Sequence, residues 1–295
     1  MVWKKKRVVN PAVHKNSQVI LAIILLVIIF IVGFLMWQTR ADPEPPVDVG
    51  TIIVEEVPIE TFEKEPEPAF NSSELTAVVN TWVARQSGDA SVVLSDLDGT
   101  ILAESNPAMV FFAASIYKLY VAYEGYLEID EGIVNPQELY INGYTRAECL
   151  DLMIRESDSP CAEKLWNELG KQKLTDTLAG YGITDTNMVA LTTTAADAAK
   201  MLSRIAQPIG LSVESQNAYM TSMKEQIYRD ALNKGFSEEV IIYNKIGFNG
   251  QVEYHDVAIA EFVDGRQLIV SVLTENVGTA EIANLGRDIE ESVTK

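Results

Sequence analysis

Ser115 and Lys118 are the two residues whose types and spacing most directly indicate chemistry. Residues three apart share one face of a helix, so the lysine amine can lie beside the serine hydroxyl. An amine that takes the hydroxyl proton makes serine a nucleophile. Since an apolar run at 110–112 precedes Ser115, we expect a buried helix to begin here, with the Ser115 N–H free to face a developing oxyanion. The pattern predicts a nucleophile, its base and half of an oxyanion hole within one turn.

A serine and a lysine at this spacing also occur by chance in ordinary amphipathic helices. Two later segments make a catalytic interpretation of this pair more specific. Residues 157–159 read Ser-Asp-Ser between two predicted helices, and residues 245–247 read Lys-Ile-Gly in a predicted strand. The ordered set resembles the S-x-x-K, S-D-N and K-T-G motifs of class A β-lactamases and penicillin-binding proteins. The resemblance covers about residues 73–295, and three motifs in order are far more specific than any one of them.

The resemblance implies a role for each matched position. Ser115 would attack a carbonyl and Lys118 would accept its proton. Ser157 would pass a proton to the leaving nitrogen. Lys245 would hold a substrate carboxylate and polarise Ser157. The N–H groups of Ser115 and Phe248 would form the oxyanion hole.

Three positions would line the substrate site, and two of them depart from the family pattern. Ser159 stands where asparagine contacts the substrate amide, and Ile246 stands where a hydroxyl residue binds the carboxylate, beside Gly247. Each lost hydrogen bond to a charged group costs about 1.5–3 kcal/mol. We therefore expect weak β-lactam turnover or none.

A third departure concerns deacylation. Between residues 171 and 192 there is no E-x-x-L-N segment, so the glutamate that activates water in the family is missing, and Asp185 is a poor substitute. Without that base we expect the acyl-enzyme to persist.

The predicted elements give an α+β fold with two subdomains. Strands are predicted at 91–95, 100–103, 240–246, 253–262 and 267–274, and helices begin near Ser73, Ser115, Thr145, Pro160, Thr192, Ser215 and Thr279. Strands thus come from both ends of the chain and helices from its middle. The simplest arrangement is a five-stranded antiparallel sheet flanked by the terminal helices, with an inserted all-helical subdomain, as in β-lactamases and transpeptidases.

The region before this domain predicts a membrane anchor. Residues 19–37 carry no charge and would form a helix about 28 Å long, close to the thickness of the bilayer core. Of the six Lys and Arg residues among the first forty, five lie within residues 1–18, before this span, which predicts that the N-terminus stays in the cytoplasm. Residues 38–70 are rich in proline and acid and predict an extended tether. We expect a single-pass protein of the cell membrane whose hydrolase domain, 71–295, lies outside the cytoplasm.

The charge of the chain limits the classes of partner that it is expected to bind. The net charge is −19, and the first forty residues carry only basic charges, so the acidic excess lies entirely beyond them. Such a surface argues against nucleic acid. The implied chemistry needs no metal or cofactor, and the expected partners are a peptide or β-lactam-like substrate, with peptidoglycan as one source, and the membrane.

Other functions and other roles for single residues are also compatible with the sequence. A catalytically degenerate binding module of the cell envelope would keep the fold and lose turnover. The segment Asp96-Leu97-Asp98-Gly99-Thr100 resembles the motif of haloacid-dehalogenase-like phosphatases, although Asp98-Gly99 also suits a hairpin turn. His255 could belong to a triad, but a sheet or cleft-wall position is the simpler interpretation. Cys149 and Cys161 could form a disulfide outside the cytoplasm; we expect two buried thiols.

Overall fold

A five-stranded sheet forms the centre of the structure, a computed structural model that describes residues 70–207, 209–250 and 252–294. All of its strands pair antiparallel, in the order β2-β1-β9-β8-β7. These strands are β1 (Asp89–Ser95), β2 (Ile101–Ser105), β7 (Ile241–Phe248), β8 (Glu253–Glu261) and β9 (Gln267–Glu275). Four short strands form two small pairs, β3 (Phe111–Phe112) with β6 (Thr192–Thr193) and β4 (Leu139–Ile141) with β5 (Tyr144–Thr145).

Helices cover the sheet, and most of them come from the middle of the sequence. They are α1 (Ser72–Arg85), α2 (Tyr117–Asp130), α3 (Arg146–Arg155), α4 (Ser159–Leu169), α5 (Lys171–Gly180), α6 (Ala195–Ala206), α7 (Val213–Lys224), α8 (Leu232–Gly235) and α9 (Thr279–Val293), with a 3-10 turn (Ala114–Ile116) before α2. The predicted α+β arrangement with an inserted helical subdomain is confirmed.

Both faces of the sheet are covered by other elements, so β8 and β9 are buried along nearly their whole length. On one face α1 and α9 cover a core that includes Leu75 and Ile289. The Trp82 indole of α1 donates to the Glu281 carbonyl of α9 at 2.8 Å and joins the two terminal helices. On the other face the central helices pack around α2, whose core positions include Leu119.

Several predicted boundaries differ from the observed ones. Asn71, rather than Ser72 or Ser73, caps α1, because its side chain accepts the first free N–H groups of the helix. The helix predicted from Thr192 begins at Ala195, since residues 192–193 pair with β3. The sequence prediction omitted α5.

The helix predicted over 215–231 ends instead at Lys224. The Ile227 N–H donates to the Arg155 carbonyl of α3 at 3.0 Å, and Gln226 Nε2 donates to the Ile154 carbonyl at 2.7 Å. These tertiary hydrogen bonds draw the chain out of the helix and towards the end of α3.

The predicted membrane span 19–37, the basic segment 1–18 and all of the tether except Phe70 lie outside the described residues. Among the residues that the structure does describe, none belongs to a helix long and apolar enough to cross a bilayer.

The prediction of two free thiols is wrong. Cys149 of α3 and Cys161 of α4 form a disulfide with a Cα–Cα distance of 5.1 Å. The bond spans the connection between the two helices, which carries residues 157–159. Sequence spacing could not show it because the pairing depends on how α3 and α4 pack.

Replacing both cysteines by alanine should lower the free energy of unfolding by about 3 kcal/mol, because the disulfide limits the entropy of the unfolded chain. Urea unfolding of the wild type and of the double variant measures this difference. As a control, alkylation of unfolded, unreduced wild type should label neither cysteine. Two labels, or equal stabilities, would contradict the assignment.

Candidate active site

The chain turns sharply just before Ser115. The Ala113 N–H donates to the Leu191 carbonyl at 2.8 Å, and Ala114 has a φ of +43°, in the left-handed region that costs an L-residue about 1–2 kcal/mol. The 3-10 turn that follows leads directly into α2. Ser115 consequently lies at the start of a buried helix, as predicted, and lines a cleft of about 530 Å³.

Strand β7 passes very close to this turn. A Cβ atom at Gly247 would lie 2.8 Å from Ile116 Cγ1 and 3.2 Å from the Ala113 carbonyl oxygen. Only glycine lets the strand approach the nucleophile turn so closely. The predicted position of Gly247 therefore has a steric reason here, namely contact between β7 and the chain around Ser115.

His255 fastens the same turn from the next strand. Its Nδ1 accepts the Thr274 N–H at 3.1 Å, so Nε2 carries the proton and donates to the Phe112 carbonyl at 2.8 Å. Burial lowers the pKa of His255 to about 4, which keeps the ring neutral. With both nitrogens engaged by backbone groups, His255 is a cleft-wall residue that holds β3.

The loop between α3 and α4 presents Ser157. Ser157 has a φ of +57°, and the following Asp158 caps α4 by accepting the Cys161 N–H at 2.8 Å. The Asp158 N–H in turn donates to the Leu152 carbonyl at 3.1 Å. Helix cap, backbone bond and disulfide together hold Ser157 in a conformation that few serines adopt.

Lys118 is buried beside this loop. Its Nζ donates to the Ser157 carbonyl at 2.5 Å and lies 3.3 Å from Ser157 Oγ and 3.2 Å from Ser159 Oγ. No hydrogen bond joins Lys118 to Ser115 Oγ in the described part of the chain. Burial lowers the pKa of Lys118 to about 8, while Asp158 and Glu163 oppose the shift. A lysine with this pKa can act as a base near neutral pH.

Lys245 approaches Ser157 from the opposite side. Its Nζ donates to Ser157 Oγ at 2.9 Å and to the Ile246 carbonyl at 2.8 Å. The side chain is completely buried, and burial, together with the charge on Lys118, lowers its pKa well below the usual value, while Asp256 opposes the shift. The hydroxyl of Ser157 is thus shared by two buried amines.

The cleft gathers most of the predicted residues. Its lining consists of Ser115, Ser157, Tyr228, Asp230, Ala231, Ile246, Gly247, Phe248, Tyr254, His255 and Thr279. Three other predicted residues do not line the cleft but contact Ser157 or one another, namely Lys118, Lys245 and Ser159. Sequence analysis did not assign Tyr228, Asp230 or Tyr254 to the site, although their segments belong to the part of the chain that carries the family resemblance.

No acid from 171–192 reaches this lining. Asp185 is exposed, and its N–H donates to Asp197 Oδ2 at 2.7 Å. The absence of the family's E-x-x-L-N segment therefore has a structural counterpart: the described residues supply no carboxylate opposite Ser115 from this region.

Asp98 and Gly99 form the turn between β1 and β2, as the simpler interpretation predicted. The Thr100 N–H donates to Asp98 Oδ1 at 2.8 Å and to Asp96 Oδ1 at 3.0 Å. Burial, together with the neighbouring Asp98, raises the pKa of Asp96 to about 6. Both partners of β1 are antiparallel, whereas the phosphatase interpretation requires a parallel sheet.

The fold is that of the β-lactamase and transpeptidase-like serine hydrolases. The chain belongs to the β-lactamase enzyme family, whose model matches residues 73–293. This membership supports a serine hydrolase-like function. No curated protein matches the chain.

Solved structures show the same fold at low sequence identity. A class A β-lactamase from Bacteroides cellulosilyticus is 15% identical with a TM-score of 0.66, covering 76% of this chain and 99% of its own. PBP-A is 20% identical with a TM-score of 0.67, covering 77% and 98%. A β-lactamase from Xanthomonas campestris is 19% identical with a TM-score of 0.68, covering 77% and 100%.

The rate at which a covalent probe that reacts with serine but not with amines labels Ser115 should increase as the pH rises through about 8. The reason is that only the neutral form of Lys118 accepts a proton. The second-order rate constant measured from pH 6 to pH 10 gives the profile. In Lys118→Arg, whose guanidinium stays protonated, the inflection should vanish and the rate should fall about 10²–10⁴-fold. A flat wild-type profile would argue against Lys118 as the base.

Proposed function

We propose that this protein is a membrane-anchored, extracytoplasmic acyltransferase or hydrolase that forms an acyl-Ser115 intermediate on an amide or ester. The observation that carries the proposal is the hydroxyl of Ser157, held between the amines of Lys118 and Lys245 at 3.3 Å and 2.9 Å beside the cleft that Ser115 lines. A hydroxyl placed so can move protons between a nucleophile and a leaving group.

Acylation follows from these positions. Ser115 Oγ attacks the carbonyl carbon as neutral Lys118 takes its proton, and the carbonyl oxygen becomes an oxyanion facing the N–H groups of Ser115 and Phe248. The intermediate then collapses, and the bond from carbon to the leaving nitrogen or oxygen breaks. Ser157 gives its proton to the leaving atom and recovers one from the protonated Lys118.

Deacylation is the weak step in this proposal. Water must be deprotonated to attack the ester, and the described cleft lining offers Asp230 as its one carboxylate, with none from 171–192. The acyl-enzyme then lasts until an amine acceptor or an unassisted water arrives. This predicts weak β-lactam turnover and suits a peptide substrate of the cell envelope, such as a peptidoglycan peptide.

A structural relative supports the covalent step. A mutant of PBP-A, 19% identical with a TM-score of 0.65, has been solved as an acyl-enzyme complex with penicillin-G. The location outside the cytoplasm draws support from the apolar run 19–37, the basic residues before it and the Cys149–Cys161 disulfide.

A catalytically degenerate binding module is the second candidate. Ile246, Ser159 and the missing glutamate favour it. The same fold and cleft would then bind an envelope peptide without forming a bond. The lowered pKa of Lys118 weighs against this candidate, because a binding module gains nothing from a lysine poised to accept a proton.

The full chain, incubated with a reactive β-lactam whose carboxylate is esterified, should gain the mass of one opened β-lactam and keep it for hours, because acylation is assisted and deacylation is not. Intact-mass analysis follows the adduct. Ser115→Ala should form none, whereas Ser73→Ala, a control at an exposed serine of α1, should react like the wild type. No adduct on the wild type at high excess would favour the binding module.

A further inference from the structure

The cleft beside Ser115 is unusual in its charge. Of the described residues that line it, Asp230 is the one with a formal charge at neutral pH, since burial keeps His255 neutral. The wall formed by β7 and β8 is apolar and aromatic. Phe248 and Tyr254 pack with ring centroids 4.9 Å apart, and Phe248 and Tyr228 are 47% and 46% exposed.

The two lysine amines nearest to the cleft donate their hydrogen bonds to protein oxygens. Lys245 is fully buried, and its Nζ is occupied by Ser157 Oγ and the Ile246 carbonyl. Lys118 Nζ is surrounded by the oxygens of Ser157 and Ser159. Neither lysine lines the cleft.

Arg229 is the remaining basic side chain close to this wall in sequence. Its Nη1 donates to the Lys224 carbonyl at 2.6 Å and to the Gln226 carbonyl at 3.3 Å. It therefore closes the C-terminal end of α7, where a cation is favoured by the helix dipole. Arg229 does not line the cleft, although the residues on either side of it do.

A carboxylate bound here would meet an acid, the negative faces of aromatic rings and the aliphatic Ile246, with no cation among the lining residues to replace its water. A neutral amide or ester meets none of these penalties. Aromatic and aliphatic walls instead favour an uncharged group with apolar flanks.

We propose that this cleft selects acyl donors whose leaving side is uncharged, such as a carboxamide-ended or internally linked peptide, and discriminates against donors that end in a free carboxylate. The inference rests on the proposed acyl transfer at Ser115 and names its substrate class. The chemistry is a serine displacement: the Ser115 Oγ–C bond forms, the bond to the leaving group breaks, and the leaving group departs with one proton.

A matched pair of acyl thioesters tests this on the full chain. The two differ only in the leaving group, which is thioglycolate with a free carboxylate or the corresponding carboxamide. Acyl-enzyme formation is followed by intact mass and thiol release, and each rate is divided by that of uncatalysed hydrolysis. The carboxamide donor should react at least about tenfold faster, the factor that one missing hydrogen bond to a charged group produces.

Two variants and a control locate the origin of the preference. Asp230→Asn removes the repulsion, and Ile246→Thr adds a hydroxyl donor, so each should raise the rate of the carboxylate donor more than that of the carboxamide donor. Asp176→Asn is the charge-matched control, because Asp176 is an exposed acid of α5 that does not line the cleft. The control should leave the ratio of the two rates unchanged.

The outcomes separate this inference from the proposed function. Equal rates, or a faster carboxylate donor, would overturn the inference and leave acyl transfer standing. If neither thioester acylates Ser115, the proposed function fails. The inference is then tested by calorimetry, which compares the binding of two unreactive amides that carry the same free carboxylate or carboxamide. Tighter binding of the carboxamide ligand would then support it, whereas equal binding or none would overturn it.

Discussion

Two buried lysine amines share one serine hydroxyl, and the chemistry proposed for this protein depends on that arrangement. Two ammonium groups this close to a common atom, both removed from water, repel each other and lose their hydration. The structure relieves the cost by lowering the affinity of both amines for a proton, with burial as the main cause at Lys118 and Lys245. Ser157, which lies between two amines whose pKa values are lowered, is therefore the proton relay that we propose.

The fold brings the members of this network together from three separate elements. Lys118 comes from α2, Ser157 from the loop between α3 and α4, and Lys245 from β7. Close contacts and one covalent bond join these elements. Gly247 lets β7 contact the turn before α2, His255 ties that turn to β8 and β9, and the disulfide spans the loop of Ser157. The site is therefore held mainly by backbone contacts and by one covalent bond.

The sequence placed several motif residues beside one cleft. Ser115 and Ser157 lie at junctions between elements, which turn and helix signals locate well, whereas Gly247 lies within β7 and lines the same cleft. The antiparallel sheet was predictable for a similar reason, since apolar runs bounded by turn residues distinguish strands from helices.

What the sequence could not show depends on contacts between distant segments. The disulfide requires the crossing of α3 and α4, and the end of α7 is set by the hydrogen bond from Ile227 to α3. Asp230 enters the cleft only because the chain leaves that helix early. The cleft-wall position of His255 was predicted, but its two hydrogen bonds were not, because both of its partners are backbone groups.

The most direct test of this account is the ionisation of the two amines, measured by NMR on protein with isotope-labelled lysine side chains. Lys118→Met and Lys245→Met variants assign the two signals. We expect Lys118 to titrate near pH 8 and Lys245 to titrate well below its usual value, with the signal of each moving when the other is removed. If both amines titrate independently near 10.5, the ordinary pKa of lysine, the shared-hydroxyl relay is contradicted.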